Sequence, residues 1–282
     1  MRVRFWGTRG SLAAPGLDTA RYGGNTACVE VCDHEGSVLV LDAGTGVRAL
    51  GASLPPGLQR VDILLTHLHM DHVQGLGFFA PLYNPAVAVH IWGPASTTAS
   101  LRSRLRRYLS PPLFPVHLRD LPCGLTLHEV PCGTVHIGTF TVSSALVCHP
   151  GPTVGYRIES AGGSIAYIPD HEPALGVRNF PGSPEWTSGH SLAANVDLLI
   201  HDGQYRLDEY PSHVGWGHSA TDDTVRFAAQ ARVKQLILFH HDPSRNDAAV
   251  DRLLESTTAR TQPSFAVTAA AEGMTCDVGP TI

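Results

Sequence analysis

The sequence lacks long uniform runs of any kind. No stretch is apolar over the roughly 20 residues that a membrane-spanning helix needs, and no long polar or charged run marks a linker. The opening MRVRFWGTRGS also lacks the apolar segment and small-residue cleavage site of a secretory signal. We therefore expect a cytoplasmic protein without a membrane partner, and a single domain over residues 1–282.

Cysteine is scarce and shows no useful pairing. The six cysteines never adopt the C-x-x-C spacing of a zinc ribbon or a dithiol redox site. A chain of 282 residues is also too large to need disulfides for its stability. We interpret the cysteines as free thiols in a reducing compartment.

Charge of either sign is limited as well. Charged residues make up only 16% of the chain, and the net charge is -5 with both signs interspersed. This balance gives no general reason for nonspecific binding to a long nucleic acid. We therefore expect a small-molecule or short-nucleotide substrate and no long nucleic acid partner, and we leave open whether the chain forms a homodimer.

Short apolar segments typical of strands recur along the chain, and several end in Gly, His or Asp, where site-forming loops begin. These segments are MRVRFWG, ACVEVC, SVLVLDAG, VDILLTH, VAVHIWG, FTVSSALVCH, VGYRIES, GSIAYIPD, VDLLIHDG and QLILFHHD. Helical spacing appears in TDDTVRFAAQAR, in DAAVDRLLEST and in ASTTASLRSRLRRYL, which places Leu101, Leu105 and Leu109 on one face. Two series of strands, each followed by helices, predict an α/β fold of two sheets packed face to face with helices outside.

Residues from about 80 to 122 are richer in proline and include LSPPLFPV. We interpret this segment as an excursion from the core, either a lid or substrate-binding segment or a plain surface insertion. Its helix carries arginines that could meet a phosphate or form an ordinary solvated face, namely Arg102, Arg104, Arg106 and Arg107. Phe114 could line a substrate pocket or simply pack in the core.

The stretch THLHMDH holds a dense group of metal-binding side chains. His67 ends an apolar strand, and the next five residues supply the further donors His69, Asp71 and His72. Imidazole and carboxylate groups suit zinc, manganese or iron. Four donors from so short a segment cannot all comfortably bind one ion, so two ions fit better.

Other strand ends offer further donors for two ions. ALVCHP ends in His149, SIAYIPD ends in Asp170, and LILFHHD contains His240 and His241. A single histidine at a strand end is ordinarily a core or rim residue. Four strand ends with suitable donors, one of them a dense cluster, instead favour a metal site.

The H-x-H-x-D-H motif at residues 67–72, followed in order by a His, an Asp and a late His, resembles the metallo-β-lactamase fold hydrolases. FWGTRGS, YGGNTACVEV and LVLDAGTG are similar to the opening strands of that superfamily. HDGQY and GWGHSATDD are similar to its phosphodiesterase branch, which includes the tRNA 3′-processing endonucleases. The resemblance covers nearly the whole chain, and it implies an αββα domain of two mixed sheets with helices on the outer faces.

The resemblance also implies two divalent metal ions, with Zn²⁺ first and Mn²⁺ or Fe as alternatives. It places one ion on His67, His69 and His149 and the other on Asp71, His72 and the late His, with Asp170 bridging them. For the late ligand we prefer His240, which ends the run QLILF. An alternating strand would point His241 to the opposite side, but a strand end leaves both open.

Two ions a few ångströms apart can share a hydroxide that is nucleophilic at neutral pH, which suits phosphoester, lactam, thioester and lactone hydrolysis alike. The resemblance ties this ligand set to phosphodiesterases, and the lack of a cysteine at a late ligand position disfavours lactam hydrolysis. We interpret Asp71 as catalytic as well as metal-binding. His218 matches the histidine that contacts the scissile phosphate in the endonuclease relatives, so we expect it to serve the leaving alkoxide; alternatively it merely precedes a helix capped by Ser219 or Thr221.

Three more polar residues follow buried strands. Asp42 is expected to orient a ligand histidine, although a turn residue after a strand is an equal alternative. His201 and Asp202 are expected to support the site without binding metal.

These features predict a binuclear metal-dependent phosphodiesterase. Only two strands and a turn fit between His149 and Asp170, which leaves no room for the tRNA-binding arm of the processing enzymes. We therefore expect a small or short nucleotide-type substrate. The alternatives are a carboxylic ester, thioester or lactone hydrolase with the same metals, and a non-catalytic metal-binding sensor or interaction protein. A redox di-iron role is disfavoured because related redox proteins carry Glu where this chain has His69.

Overall fold

A computed structural model describes residues 1–130, 132–173, 175, 180 and 182–279. Within these residues the chain forms two β-sheets of seven strands each. The strands of the first sheet are β1 (Arg2–Gly7), β2 (Cys28–Cys32), β3 (Val38–Leu41), β4 (Arg60–Leu64), β5 (Ala88–Pro94), β6 (Gly124–Val130) and β14 (Thr275–Asp277). Those of the second sheet are β7 (Gly133–Ile137), β8 (Phe140–Leu146), β9 (Val154–Ser160), β10 (Gly163–Ile168), β11 (Leu198–Asp202), β12 (Gln235–Phe239) and β13 (Ala266–Ala269).

Both sheets are mixed, as predicted. The first has the order β14-β1-β2-β3-β4-β5-β6, antiparallel as far as β3 and parallel from β3 to β6. The second has the order β13-β12-β11-β10-β9-β8-β7, parallel from β13 to β10 and antiparallel beyond.

Helices cover the outer faces of both sheets. They are α1 (Val47–Ser53), α2 (Met70–Val73), α3 (Leu101–Tyr108), α4 (His190–Ala193), α5 (Thr221–Ala231) and α6 (Asp247–Thr261). Phe5 and Tyr167 belong to the apolar layer between the sheets, while Leu50 and Leu105 pack with the first sheet and Phe227 with the second. Each fully buried side chain of this size contributes roughly 1.5–3 kcal/mol to folding. The predicted αββα architecture is therefore confirmed.

Parallel strands direct their following loops to one edge of each sheet. β3 and β4 are parallel neighbours in the first sheet, as are β10, β11 and β12 in the second. Since the carboxyl ends of parallel strands meet at the same edge, residues that follow them are brought together. The predicted site residues at such ends are Asp42, His67, Asp170 and His240.

The segment from about 80 to 122 lies only partly outside the sheets. β5 falls within this segment and is hydrogen-bonded to a neighbour on each side. The three leucines predicted to share one face of the helix are at most 2% exposed. Phe114 is also buried and packs edge-on against Phe78 at a ring separation of 5.6 Å, so it belongs to the core.

The state of the cysteines and the length of the helices also follow from the structure. All six cysteines are free thiols, as expected. No helix within the described residues has the length and apolar character needed to cross a membrane.

Candidate metal centre

The first candidate metal-binding side chains lie in the short segment between β4 and α2 and in α2 itself. His67 lies three residues beyond the end of the strand, and the extended backbone at His69 leads directly into the single turn of α2. That turn directs Asp71 and His72 into the interior, where they are 5% and 0% exposed. The donors of the dense sequence motif are thus divided between the segment before α2 and α2 itself.

The first cluster consists of His67, His69 and His149. One ring nitrogen from each histidine lies within 4.8 Å of the others. The Nε2 atom of His149 is 3.1 Å from Nδ1 of His69. Three imidazoles at this spacing form a typical ligand set for one divalent cation.

The second cluster consists of Asp71, His72, Asp170 and His240, all of them buried. The Nε2 atoms of His72 and His240 are 3.3 Å apart, and Nε2 of His240 is 3.0 Å from Oδ2 of Asp71. Four candidate ligand atoms lie within 4.8 Å of one another, so this cluster could hold a second cation.

Asp170 lies between the two clusters. Its Oδ2 atom is 3.6 Å from Nε2 of His67 and 3.7 Å from Nε2 of His149. Its Oδ1 atom is 3.1 Å from Nε2 of His72 and 3.3 Å from Nε2 of His240. One carboxylate therefore presents a different oxygen to each cluster.

Three of the clustered histidines are held from behind through Nδ1. The acceptors are Oδ2 of Asp42 for His72, Oε1 of Gln204 for His240 and the carbonyl oxygen of Gly217 for His149, each at 2.8 Å. An oxygen acceptor places the proton on Nδ1, so the lone pair of a neutral ring lies on Nε2, which faces the cluster. This arrangement is typical of histidines that bind a metal.

Two buried atoms in the centre have no hydrogen-bond partner among the described residues, namely Nε2 of His67 and Oδ1 of Asp170. A buried polar atom without a partner is costly and rare in folded proteins. Nε2 of His67 belongs to the first cluster and Oδ1 of Asp170 faces the second, so a cation in each cluster would satisfy them. The residues present therefore fit divalent metal ions.

The electrostatics of the centre favour a cation. Burial lowers the pKa of His67 and of His149, which keeps their lone pairs available. Burial opposes ionisation of Asp170, but His240 and His72 outweigh it and hold its pKa well below the ordinary value. Burial likewise lowers the pKa of His72, but Asp170 and Asp71 outweigh it and raise that pKa, so positive charge is favoured where a metal would bind.

His218 lies on the rim, against both clusters. Its ring stacks on His240 at 4.9 Å and meets His149 edge-on at 5.0 Å. Its Nδ1 atom donates to Oδ2 of Asp202 at 2.7 Å. Burial lowers the pKa of His218, but Asp202 outweighs this effect and raises the pKa to about 9, so the imidazolium form predominates at neutral pH.

The alternative interpretation of His218 as a residue preceding a capped helix has little support. The residue at the N-cap position of α5 is Ala220, and no side chain caps the helix there. Ser219 donates to the carbonyl oxygen of His171, and the Thr221 hydroxyl pairs with that of Thr257. The hydrogen bond to Asp202 is therefore the interaction that orients His218.

The remaining predicted residues take supporting positions. Asp42 has a left-handed backbone with φ of +57°, and it also accepts the hydroxyl proton of Tyr167. His241 is turned away from the clusters and donates to the carbonyl oxygen of Ala270 at 2.9 Å. The ring of His201 pairs with that of His171 at 2.9 Å and reaches neither cluster.

Sequence reasoning missed Gln204, Glu172 and the carbonyl group of Gly217. Glu172 is 1% exposed and accepts hydrogen bonds from the backbone N–H groups of Gly215 and Gly217 and from the Tyr210 hydroxyl. It thereby ties the loop that leads to His218 to the segment after Asp170. Two features of the sequence could have indicated these side chains. Glu172 lies two residues after Asp170, and Gln204 lies within HDGQY.

The region between His149 and Asp170 contains the hairpin of β9 and β10, so it has no protruding arm. This agrees with the sequence-based expectation for that segment. It does not by itself decide which substrates the centre accepts, because substrate can also be bound by other parts of the surface.

The chain is similar to known proteins both in sequence and in structure. Residues 38–241 match the model of the beta-lactamase superfamily domain. Ribonuclease Z of Thermoplasma acidophilum is 26% identical over an alignment 306 positions long, which covers 94% of this chain and 93% of the relative. The crystal structure of human tRNase Z, short form, matches with a TM-score of 0.69 at 21% identity over 100% of both chains. A diphosphatase from the PhnP family matches with a TM-score of 0.67 at 18% identity over 98% of this chain and 96% of the other.

These comparisons overturn one expectation. We expected no long nucleic acid partner, but a relative named ribonuclease Z matches more than nine-tenths of the chain. That expectation is wrong. Net charge averages over the whole surface, whereas substrate binding depends on local charges and on ions held in the centre.

Proposed function

Because the chain belongs to the beta-lactamase superfamily, we propose that it is a metal-dependent phosphodiesterase that hydrolyses nucleotide phosphodiester bonds, including those of RNA, with two divalent cations. The similarity to ribonuclease Z supports this reaction and this substrate class. A phosphodiester carries a negative charge at the reacting group, which two cations are suited to bind.

The metal ligands in this proposal are those of the two clusters. His67, His69 and His149 would hold one ion, Asp71, His72 and His240 would hold the other, and Asp170 lies where it could contact both. Nitrogen and oxygen donors without a thiolate suit Zn²⁺ best, with Mn²⁺ and Fe as alternatives.

The observation that carries the proposal is the position of Asp170. Its two oxygens face different clusters, and one of them is buried without a hydrogen-bond partner among the described residues. A structural zinc site needs only four ligands around one ion. A carboxylate shared between two sets of histidines is instead what a two-metal hydrolytic site requires.

Bound cations in these clusters would neutralise phosphate charge and make a water molecule more acidic at neutral pH. His218 supplies the proton for the leaving oxygen from Nε2, which makes no hydrogen bond within the described part of the chain. Asp202 holds the ring and stabilises its protonated form. The raised pKa of His218 suits a general acid rather than a base.

We also propose that residues 1–282 form one hydrolase domain that acts in the cytoplasm. His67 follows a strand of the first sheet, while Asp170 and His240 follow strands of the second, so neither sheet could hold the centre alone. The six free cysteines suit a reducing compartment.

Hydrolysis assays on metal-loaded protein test the proposal. The wild-type protein should hydrolyse bis(p-nitrophenyl) phosphate and an oligoribonucleotide, and His67→Ala should lose about 100-fold or more in kcat/KM on both. Activity confined to carboxylic esters, thioesters or lactones would overturn the phosphodiesterase proposal. Metal analysis with less than about one ion per chain, together with no hydrolysis of any ester, would instead support a non-catalytic metal-binding protein.

A further inference from the structure

A cavity of about 320 Å³ opens beside the first cluster. His67 and His69 of the cluster form one wall, α3 forms another, and residues 150–152 close a third side. The residues that line the cavity include His69, Met70, Arg104, Arg107, Tyr108 and Leu113. A volume of this size lies within the range of small-ligand sites, at the lower end of roughly 300–1,000 Å³.

Most of the cavity wall consists of carbon atoms from apolar side chains. Met70 is 51% exposed and Leu113 is 69% exposed, although both are large apolar residues. Tyr108 is fixed because its hydroxyl donates to the carbonyl oxygen of Gln74. An exposed apolar wall with a fixed aromatic ring, next to a reaction centre, is suited to the flat face of a nucleobase.

The charged groups of the cavity are both arginines, and no acidic side chain lines it. Arg107 is exposed and makes no hydrogen bond or ion pair within the described residues. Arg104 donates to the carbonyl oxygen of Pro94, and its buried Nε atom has no partner among those residues. Guanidinium groups with unused donors favour a phosphate as their ligand.

We propose that this cavity binds the nucleoside next to the scissile phosphate, with the following phosphate on Arg107 and Arg104. The inference rests on the proposed function, because the scissile phosphate must lie at the clusters for its neighbour to enter the cavity. Of the four arginines of α3, Arg104 and Arg107 line the cavity, whereas Arg102 and Arg106 are exposed and do not line it.

The ratio of two kcat/KM values tests this assignment. The trinucleotide ApApA offers a base and a second phosphate, whereas bis(p-nitrophenyl) phosphate offers neither. Arg107→Gln should lower the ratio of the first value to the second about ten-fold, since one charged hydrogen bond to phosphate is lost. The matched control is Arg106→Gln, the preceding residue of the same helix, which should leave the ratio at its wild-type value.

A second pair of variants tests the apolar wall. Leu113→Asn should lower the same ratio about three- to ten-fold, because it makes the wall polar at a place where the base is expected to pack. Leu17→Asn, at a leucine that is 100% exposed and outside the cavity, should not change it. All four substituted residues are exposed, and thermal melting of each variant should confirm that folding is retained.

The outcomes separate this inference from the proposed function. Hydrolysis of both substrates with an unchanged ratio in Arg107→Gln and Leu113→Asn overturns the cavity assignment and leaves the function standing. If the wild-type protein hydrolyses neither substrate, the proposed function fails, and calorimetric titration with adenosine 3′-monophosphate, whose phosphate follows the nucleoside, tests the cavity alone. Binding that Arg107→Gln weakens about ten-fold supports the site, and the absence of binding overturns it.

Discussion

At the scale of single residues, two adjacent histidines have opposite roles. His240 has a left-handed backbone with φ of +60°, an uncommon conformation for a non-glycine residue, and places Nε2 in the second cluster. His241 points away and holds the carbonyl oxygen of Ala270. The simple alternation of a strand suggested the correct direction for each ring, although the strand itself ends at Phe239.

This difference leads to a matched pair of variants. His240→Gln should lower kcat by ~100-fold or more and reduce the metal content, because it removes a ligand of one ion. His241→Gln should keep both near wild-type values, since the glutamine amide can still donate to Ala270. Metal analysis and turnover of bis(p-nitrophenyl) phosphate measure the two effects. Equal losses in both variants would contradict the assignment of His240.

The limits of sequence reasoning are also clear at this scale. His67, His149 and Asp170 could be predicted because each follows an apolar run, and the fold brings strand ends together. Gln204 and Glu172 could not be predicted in this way, because each acts on a partner that is distant in sequence. Gln204 and its partner His240, for example, are 36 residues apart. Nothing local in a sequence specifies such a pairing.

At the scale of elements, the loop from residue 210 to 217 depends on one buried carboxylate. Glu172 accepts two backbone N–H groups from Gly215 and Gly217 and one hydroxyl proton. The carbonyl group of Gly217 in turn accepts a hydrogen bond from His149, so the loop supports a residue of the first cluster as well as the rim beside His218. This loop therefore connects the rim beside His218 to His149 of the first cluster.

Replacing this carboxylate should loosen the loop. Glu172→Gln keeps the size but removes the charge and one acceptor oxygen, which should cost about 2 kcal/mol in local stability. We expect faster hydrogen exchange at residues 210–217 and a lower kcat, whereas the second cluster keeps its metal. Glu35→Gln, at an exposed glutamate, serves as the control. Unchanged exchange in this loop would show that Glu172 does not hold it.

The segment from 80 to 122 carries two conflicting sequence signals, because the strand-like VAVHIWG lies among its prolines. Its prolines suggested an excursion, yet β5 within it pairs with β4 and β6 in the sheet. Sheet pairing joins distant segments, so local composition is a poor guide to it. The lid or binding role of this segment stays a prediction, and α3 and Leu113 are its candidates because they line the cavity.

At the scale of the whole molecule, the metal centre joins the two sheets. Side chains that follow β4 of the first sheet face Asp170 and His240 of the second across distances of 3.0 to 3.6 Å. The architecture could be predicted because two series of strands, each followed by helices, allow few arrangements. The relation to ribonuclease Z was predicted from the motifs, whereas the net charge wrongly argued against a long nucleic acid partner, because a count of side chains leaves out any bound cations.

A centre shared by both sheets should couple metal binding to global stability. Ions that bind only the folded state stabilise it by about 3 kcal/mol at a hundred-fold excess over Kd. Removing them also leaves the Nε2 atom of His67 and an oxygen of Asp170 buried without partners. Treatment with a chelator should therefore lower Tm by roughly 5–10 °C, and added Zn²⁺ should restore it. His67→Ala, which lacks a ligand of one ion, should show a smaller shift. Equal Tm values with and without metal, measured by calorimetry, would mean that the clusters do not bind ions tightly enough to support the proposed reaction.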